Sequence, residues 1–201
     1  MPEQPTLRTE EDLQRVIRAL AREFKTDTVF VIGSQAILMS WPDPPSVMLM
    51  TPEIDAYPAN ARMWEIAEQE RDDGIPREAS EHIDGLFGEG SSFHRAHGFY
   101  IDGTDESTAK LPEGWNARAI VRRLDVDGRM VKAIAPAPED LVVSKLARLD
   151  DKDKAFVDAY HNARPLDIAL IEQRIATTDL DPAVAARAVA YLRSLAARRI
   201  G

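Results

Sequence analysis

The sequence predicts an α/β fold, because short β-branched runs alternate with segments whose apolar residues recur at helical spacing. The runs at 28–32 and 119–126 have the length and composition of buried strands. After residue 135 only helical patterns follow. We therefore expect an α/β core over residues 1–135 and an all-helical C-terminal subdomain over residues 136–201.

The first predicted elements lead into a glycine turn. Thr9 stands ahead of two acidic residues, and apolar residues then repeat at helical spacing, which predicts a helix over residues 9–24. Thr28–Ile32 predicts a buried strand that ends at Gly33-Ser34. A short helix is expected to begin at Gln35 and to stop before a run of prolines.

A pair of acids follows a second apolar run. Val47–Met50 is apolar, and Thr51–Asp55 continues it with alternating acids. In an extended chain, Glu53 and Asp55 point to the same face. Two carboxylates on one face can share a divalent cation, or they can be solvated acids at the end of a strand. The pattern alone leaves both interpretations open.

The rest of the chain combines an irregular segment, a hairpin and helices. Residues 60–71 predict a helix, and residues 73–118 are expected to be irregular apart from a short strand at Phe99–Ile101. Asp127-Gly128 predicts a hairpin turn between strands at 119–126 and 130–134. Helical patterns are placed at 139–149, at 153–161, from Pro165 and after Asp181-Pro182.

Composition narrows the class of protein. The chain has 201 residues, no cysteine and a formal net charge of −9. The absence of cysteine excludes disulfides, thiolate metal sites and cysteine nucleophiles. No apolar stretch approaches the ~20 residues that cross a bilayer, and the polar N-terminal segment does not resemble a signal peptide. We expect a cytoplasmic protein without a membrane partner, and the acidic charge argues against a general nucleic-acid coat.

Basic residues are nevertheless concentrated on two predicted helices. They are Arg15, Arg18 and Arg22 near the start of the chain and Arg187, Arg193, Arg198 and Arg199 near its end. Such stripes can contact RNA phosphates, and they can equally be solvated helix faces. Both interpretations stay open.

Three further features have phosphate-binding or charge-pairing character. A strand–Gly33-Ser34–helix turn lets backbone N–H groups approach a phosphate, although such turns also occur without a ligand. Lys145 lies on a predicted helix with an apolar face and can reach a triphosphate as a point charge, with Arg148 one turn further. Asp153, in a charged segment, is a candidate partner for Lys145. Each of these residues could also be an ordinary surface residue.

In this order, the motifs resemble the DNA polymerase beta superfamily of nucleotidyltransferases. They read FVIGSQAI, LMTPEIDAYP, PEDLVVSKLAR and DKDKAFVDAY. The likeness is closest to the minimal bacterial branch, which includes abortive-infection and toxin–antitoxin transferases. The segment from Gly88 to Trp115 also looks like an uncharacterised subgroup of that branch. The resemblance implies a small mixed sheet flanked by helices.

The resemblance also implies a function. It indicates an enzyme, dependent on Mg²⁺ or Mn²⁺, that moves a nucleoside monophosphate from a nucleoside triphosphate to an acceptor hydroxyl. Gly33 and Ser34 would bind the triphosphate, and Glu53 and Asp55 would hold the metal. Lys145 would neutralise charge on the phosphates. The acceptor stays open among RNA (tRNA in particular), a protein side chain and a small molecule, and a toxin-type role is included.

The sequence departs from the family pattern in the metal site. The first acid is Glu53, where aspartate is commoner, and glutamate is a longer ligand. No third strand carboxylate is obvious; Asp102 is our first candidate and Asp125 the second. The spacing between the glycine turn and the acid pair is longer than usual. Asp153 is expected to orient Lys145 or the nucleotide.

His94 is a separate candidate, which we include among the nucleotide-binding residues. It lies in a Gly/Ser-rich segment with Glu89, Ser92 and His97 nearby. A metal ligand, a base-stacking group and a general base are all compatible with this setting. So is a hydrogen-bonded structural histidine.

Two further readings remain open. A degenerate transferase fold could bind a nucleotide or a protein without turnover. The chain could also act through a partner protein or as a homodimer, with the apolar stretch Ala183–Leu195 as the contact.

Overall fold

The computed structural model describes residues 7–71 and 74–198. Within them, the strands are β1 (Thr28–Val31), β2 (Glu53–Pro58), β3 (Tyr100–Gly103), β4 (Ile120–Val126) and β5 (Arg129–Ala135). They form one mixed sheet in the order β3-β2-β1-β5-β4. The β1–β2 and β4–β5 pairs are antiparallel, whereas β1–β5 and β2–β3 are parallel. The predicted fold class is confirmed.

Helices flank the sheet and make up the C-terminal part. The α-helices are α1 (Glu10–Glu23), α2 (Ala61–Arg71), α3 (Ala79–Phe87), α4 (Ser92–His97), α5 (Trp115–Arg118), α6 (Pro138–Arg148), α7 (Asp151–Ala163), α8 (Ile168–Ala176) and α9 (Pro182–Arg198). Two short 3-10 helices span Ser34–Met39 and Ser46–Leu49. Among the described residues, no helix is long and apolar enough to cross a membrane.

Local signals account for the first helix and the hairpin. Thr9 and Asp12 form a reciprocal capping box at the start of α1, where each side chain accepts a hydrogen bond from the other residue's backbone N–H. At the hairpin, Asp127 and Gly128 both have positive φ, 54° and 79°. This is the backbone of a type I′ turn, which matches the twist of the flanking strands. Arg22 of α1 donates two hydrogen bonds to Asp127 and ties the helix to the turn.

Three local expectations were wrong or incomplete. The apolar run at Val47–Met50 is not extended, because Ser46–Leu49 forms a 3-10 helix that buries Met48 and Leu49. The helix expected from Gln35 is a 3-10 helix of six residues, in which all residues after Ser34 are buried. The segment predicted to be irregular contains α3, α4 and α5, of which α3 packs against β3 through buried apolar residues.

The two faces of the sheet differ in character. Side chains alternate along a strand, so Ile54 and Ala56 point into the core while Glu53 and Asp55 point to the other face. Helix α1 packs on the apolar face. The buried residues form one cluster that continues from the sheet into α6 and α9. The expected division at 135/136 falls at the end of β5, and it stays a prediction.

Candidate active site

A glycine turn at the end of β1 brings the backbone against Asp55. The Ile32 N–H donates a hydrogen bond to the Asp55 carbonyl oxygen at 3.0 Å, so the chain after β1 still runs beside β2. Gly33 has φ +67° and ψ −167°, a region that is essentially restricted to glycine. A β-carbon on Gly33 would overlap the Asp55 carboxylate. Gly33 therefore makes the space in which this carboxylate lies.

Three carboxylates share the open face of the sheet. In the parallel β2–β3 pair, Asp55 is in register with Asp102 and Glu53 with Tyr100. Residues in register on neighbouring strands lie on the same face, with their strands about 4.8 Å apart. The structure thus brings Asp102, the first candidate for a third acid, directly beside the predicted pair.

The negative charges of these carboxylates repel one another. Burial, together with the charges of Asp102 and Glu53, raises the pKa of Asp55 to about 6, although Lys145 acts in the opposite direction. Burial also raises the pKa of Asp102, with contributions from Asp84 and Glu53. A cation placed among these carboxylates would relieve the repulsion.

A positively charged cluster faces the acids from the helices. Helix α6 ends at Leu149, which has a left-handed backbone, and the Asp150 side chain caps α7 by accepting from the Asp153 N–H at 2.8 Å. This tight turn brings Lys145 of α6 to Asp153 of α7, with 3.4 Å between Nζ and Oδ1. Arg148 donates to both oxygens of Asp153, at 2.7 and 2.8 Å.

The members of this cluster are held by burial and pairing. Lys145 is 5% exposed and Asp153 is 1% exposed. Burial lowers the pKa of Lys145, although the nearby Asp153 and Asp55 oppose that effect. Burial acts to raise the pKa of Asp153, but the hydrogen bonds from Arg148 and the charge of Lys145 outweigh it and lower the pKa. Each member of the pair therefore favours the charged form of the other.

A buried carboxylate fixes the helix that carries Lys145. Asp140, at the start of α6, is completely buried. It accepts two hydrogen bonds from Arg118, at 3.0 and 3.1 Å, and lies 3.1 Å from the Arg174 guanidinium of α8. A buried charge is tolerated only with such partners. Together these contacts fix α6 relative to the segment before β4 and to the C-terminal helices.

Two clefts meet at this site. The smaller one, of about 270 Å³, is the acid cleft; its lining includes Ser34, Glu53, Asp102 and Asp153. The larger one, of about 530 Å³, is the helical cleft; its lining includes residues 108–110, Ser144, Ala147, residues 179–181 and Val184. Gly33, Asp55, Lys145 and Arg148 line both. The site therefore has a polar compartment and a larger, partly apolar one on either side of Asp55 and Lys145.

Comparison with known proteins assigns the chain to a family. Residues 11–194 match the family described as nucleotidyltransferase of unknown function (DUF6036). The chain belongs to this family. No curated protein and no solved structure matches the chain. The nucleotidyltransferase resemblance is thereby confirmed at the level of the family.

The acids of this nucleotidyltransferase-family chain suit a hard divalent cation. Among the described residues, no group of three or more His, Cys, Asp or Glu side chains is arranged to hold a metal ion. Mg²⁺, however, is usually held by one or two carboxylates, with waters and substrate phosphates as the other ligands. Glu53 and Asp55 offer oxygen ligands on one face, next to a third carboxylate. This donor set and its crowded negative charge fit Mg²⁺ or Mn²⁺.

The structure does not bring two of the sequence candidates to the site. Asp125 lies on β4, at the opposite edge of the sheet from β3, and accepts a hydrogen bond from the Gly128 N–H in the hairpin turn. His94 lies on α4 and lines neither cleft. Its Nδ1 accepts from the Gly90 N–H at 2.9 Å, and its ring packs 5.2 Å from the Tyr100 ring. His94 therefore does not lie where a nucleotide in either cleft would contact it, contrary to the expectation from the sequence.

Two parts of the site were not identified from the sequence, namely Tyr100 and one wall of the helical cleft. Tyr100 donates a hydrogen bond to Glu53, and burial together with the charges of Glu53, Glu89 and Asp102 raises the pKa of Tyr100 to about 12. Its position two residues before Asp102 on a strand was the available signal. The wall formed by residues 108–110 and 179–181 had no signal, because it depends on how distant loops pack.

Proposed function

We propose that the chain is a Mg²⁺- or Mn²⁺-dependent nucleotidyltransferase that moves a nucleoside monophosphate from a nucleoside triphosphate to an acceptor hydroxyl. One arrangement carries the proposal: Glu53, Asp55 and Asp102 share a sheet face beside the Gly33 turn and lie opposite the buried Lys145. This arrangement and the order of the motifs support placement in the minimal bacterial branch of the DNA polymerase beta superfamily.

The two clefts suggest how the donor nucleotide binds. In the acid cleft, the turn at Gly33 and the Ser34 hydroxyl contact the triphosphate, and Glu53 and Asp55 hold the metal. The nucleoside extends into the helical cleft, whose apolar residues Ala109, Ala147, Leu180 and Val184 suit a base or a ribose. The α-phosphate then lies between the clefts, beside Asp55 and Lys145.

The reaction in this proposal is an in-line displacement. The oxygen of the acceptor hydroxyl bonds to the α-phosphorus, the bond from that phosphorus to the bridging oxygen breaks, pyrophosphate leaves, and the hydroxyl proton passes to solvent. The bound metal supplies positive charge that stabilises the phosphates and lowers the pKa of the hydroxyl. Lys145 adds a fixed positive charge beside the same atoms.

Asp153 acts through its neighbours rather than on the nucleotide. Both of its oxygens are already engaged by Arg148, and Oδ1 also faces Lys145. It therefore positions the Lys145 ammonium and keeps it charged despite burial. This role corresponds to the first of the two expected from the sequence.

The acceptor class remains RNA (tRNA in particular), a protein side chain or a small molecule. The basic stripes give RNA limited support, because several of their arginines are paired with acids. Those pairs are Arg15 with Glu11 and Asp12, Arg22 with Asp127, Arg193 with Glu172 and Arg198 with Asp158. Arg199 lies outside the described residues.

A partner protein or a homodimer also belongs to this proposal. The apolar stretch Ala183–Leu195 offers less free surface than expected, since Ala188, Leu192 and Leu195 are buried in the core. A shallow groove between α8 and α9, lined by Ile175 and Val189 among others, is what remains for a contact.

A nucleotide- or protein-binding module without turnover is the second candidate. The longer Glu53, and the lack of a three-residue metal group among the described side chains, favour it. In this case the clefts would bind a metal–nucleotide complex but would release no pyrophosphate. The assay for the first proposal separates the two.

That assay incubates the purified protein with each α-labelled nucleoside triphosphate, Mg²⁺ or Mn²⁺, total RNA and cell lysate. We expect label in one acceptor class, lost in Asp55→Ala and Lys145→Ala and retained in Asp125→Asn, whose acid lies at the far edge of the sheet. Undiminished transfer in both site variants would contradict the assignment. Metal-dependent nucleotide binding without pyrophosphate release would identify the binding module.

The toxin-type role and the cytoplasmic location form the last part of the proposal. A bacterial host that expresses the wild-type chain should grow more slowly than one that expresses Asp55→Ala at equal protein level. Equal growth of the two strains would exclude toxicity that depends on transfer in that host.

A further inference from the structure

The Glu53 carboxylate has one hydrogen-bond partner among the described residues, the hydroxyl of Tyr100. Tyr100 is in register with Glu53 on the neighbouring strand β3, so both side chains stand on the open face of the sheet. The hydroxyl donates to Glu53 Oε2 across 3.4 Å. Tyr100 therefore touches the end of the side chain that departs from the commoner aspartate.

A glutamate at this position needs more restraint than an aspartate. It has one more rotatable bond, so its carboxylate samples more positions and loses more conformational entropy when it is fixed. The carboxylate of Asp55 is confined against the Gly33 backbone, whereas among the described residues that of Glu53 accepts its hydrogen bond from the Tyr100 side chain. An aspartate at position 53 would end one methylene short of the Tyr100 hydroxyl.

Tyr100 is itself held from the other side by α4. Ser91 caps this helix by accepting from the His94 N–H at 3.1 Å. The His94 ring accepts from the Gly90 N–H, which fixes its orientation, and packs edge-on against the Tyr100 ring at 5.2 Å between centroids. The contacts thus run from His94 to Tyr100 to Glu53.

We propose that Tyr100 is a positioning residue that holds the Glu53 carboxylate toward the metal position in the acid cleft, and that His94 supports Tyr100. This inference rests on the proposed function, in which Glu53 is a metal ligand. It assigns His94 a role outside the nucleotide site.

The test measures metal affinity directly rather than turnover. Free Mn²⁺ is titrated by electron paramagnetic resonance in the presence of an α,β-methylene nucleoside triphosphate, which cannot be cleaved at the α-phosphate. We expect Tyr100→Phe to weaken Mn²⁺ binding about tenfold, the lower end of the range for residues that orient metal ligands. His94→Ala should weaken it about threefold, because it removes a contact one step further away.

Tyr57→Phe is the matched control. Tyr57 stands on the same sheet face and is largely buried, but it stacks on Phe30 at 4.9 Å and lines neither the acid cleft nor the helical cleft. Its Mn²⁺ affinity should equal that of the wild type. Thermal melting of each variant in the absence of nucleotide checks that the fold is retained.

A double variant separates positioning from a general structural effect. In a Glu53→Ala background, Tyr100→Phe should cause no further loss of Mn²⁺ affinity, because the group that it positions has gone. Additive losses would overturn the inference, as would wild-type affinity in Tyr100→Phe while Glu53→Gln and Asp55→Asn lose the metal. Wild-type affinity in Glu53→Gln and Asp55→Asn would instead reject the proposed function itself.

Discussion

Asp55 and Asp153 line the same cleft and are both largely buried, yet their pKa values move in opposite directions. Burial and two neighbouring carboxylates together raise the pKa of Asp55 to about 6. For Asp153 the effect of burial is outweighed by Arg148 and Lys145, and its pKa is lowered. The opposite directions follow from the partners of the two residues: acids beside Asp55, and two basic groups on Asp153.

The difference separates two parts of the site by how their charges are balanced. The α6–α7 cluster satisfies its own charges and therefore contributes to the stability of the fold. The acids of β2 and β3 repel one another, and Lys145 and Arg148 offset burial and this repulsion only in part, so the ionised form of Asp55 destabilises the folded protein. Such an arrangement is expected where binding has been favoured over stability.

The largest effect should come from breaking the α6–α7 cluster. Asp153→Asn leaves the buried Lys145 ammonium without its carboxylate partner, and we expect the free energy of unfolding to fall by about 3 kcal/mol. Urea denaturation at neutral pH measures it. Asp151→Asn is the control, because that side chain is fully exposed and pairs only with Lys154, so its loss should be below about 1 kcal/mol. Equal losses in both variants would show that burial of the pair contributes nothing.

A comparable loss, in metal affinity rather than stability, should follow from a methyl group at Gly33. Gly33 and Gly98 both have positive φ, 67° and 72°, so alanine strains both backbones, by about 1 kcal/mol at the left-handed Gly98 and by more at Gly33. Only at Gly33 does the new carbon overlap Asp55, whereas Gly98 has open space around it. We expect Gly33→Ala to weaken Mn²⁺ binding about 100-fold, the scale of a displacement near 1 Å, and Gly98→Ala to leave it unchanged.

Retained Mn²⁺ affinity in Gly33→Ala would mean that the Asp55 carboxylate can bind the metal from another position. In that case the fixed geometry of the acid group would not be needed, and the contrast with the rigid α6–α7 cluster would weaken.

Site residues that are marked by a local sequence pattern could be predicted. Glu53 and Asp55 are two residues apart on a strand, and Lys145 lies on a helix with a clear apolar face. Asp102 was only a candidate, because its place beside Asp55 depends on the order of the strands in the sheet. That order reflects packing between distant segments, which local patterns do not contain.

The segment before β3 shows why some helices were missed. Glycines at 85, 88 and 90 favoured an irregular chain, since glycine weakens a helix by about 1 kcal/mol. Helix α3 forms nevertheless, because the side chains of Ala79 and Ile83 are buried against the core. Tertiary packing outweighed local propensity there, and the same packing places His94 and Tyr100 next to each other.

A smaller effect, of opposite sign, is expected from Asp55→Asn. The carboxyl titrates at about 6 in the folded chain and near 3.8 when unfolded, so its ionised form destabilises the fold at every pH above 6. Removing the charge should raise the free energy of unfolding by about 2 kcal/mol at pH 7.5, allowing for partial contact with water. The gain should shrink as the pH falls from 6 toward 4 and disappear below 3.8, where the wild-type carboxyl is protonated in both states.

Denaturation of the metal-free wild type and Asp55→Asn at several pH values tests this expectation. A gain that stays constant down to pH 4 would point to better packing of the amide rather than to the charge. A loss of stability at pH 7.5 would mean that Lys145 already compensates Asp55, and would remove the contrast with Asp153.

The smallest effect is the pH dependence of metal binding. Asp55 must lose its proton before it can serve as a ligand, and its pKa of about 6 places that competition close to neutral pH. Mn²⁺ affinity, measured with the uncleavable nucleotide analogue, should fall roughly tenfold per pH unit below 6 and level off above about pH 7. Asp153, whose pKa is lowered, should add nothing in this range. A Mn²⁺ affinity that stays constant from pH 7.5 to 5 would mean that the metal is bound without Asp55.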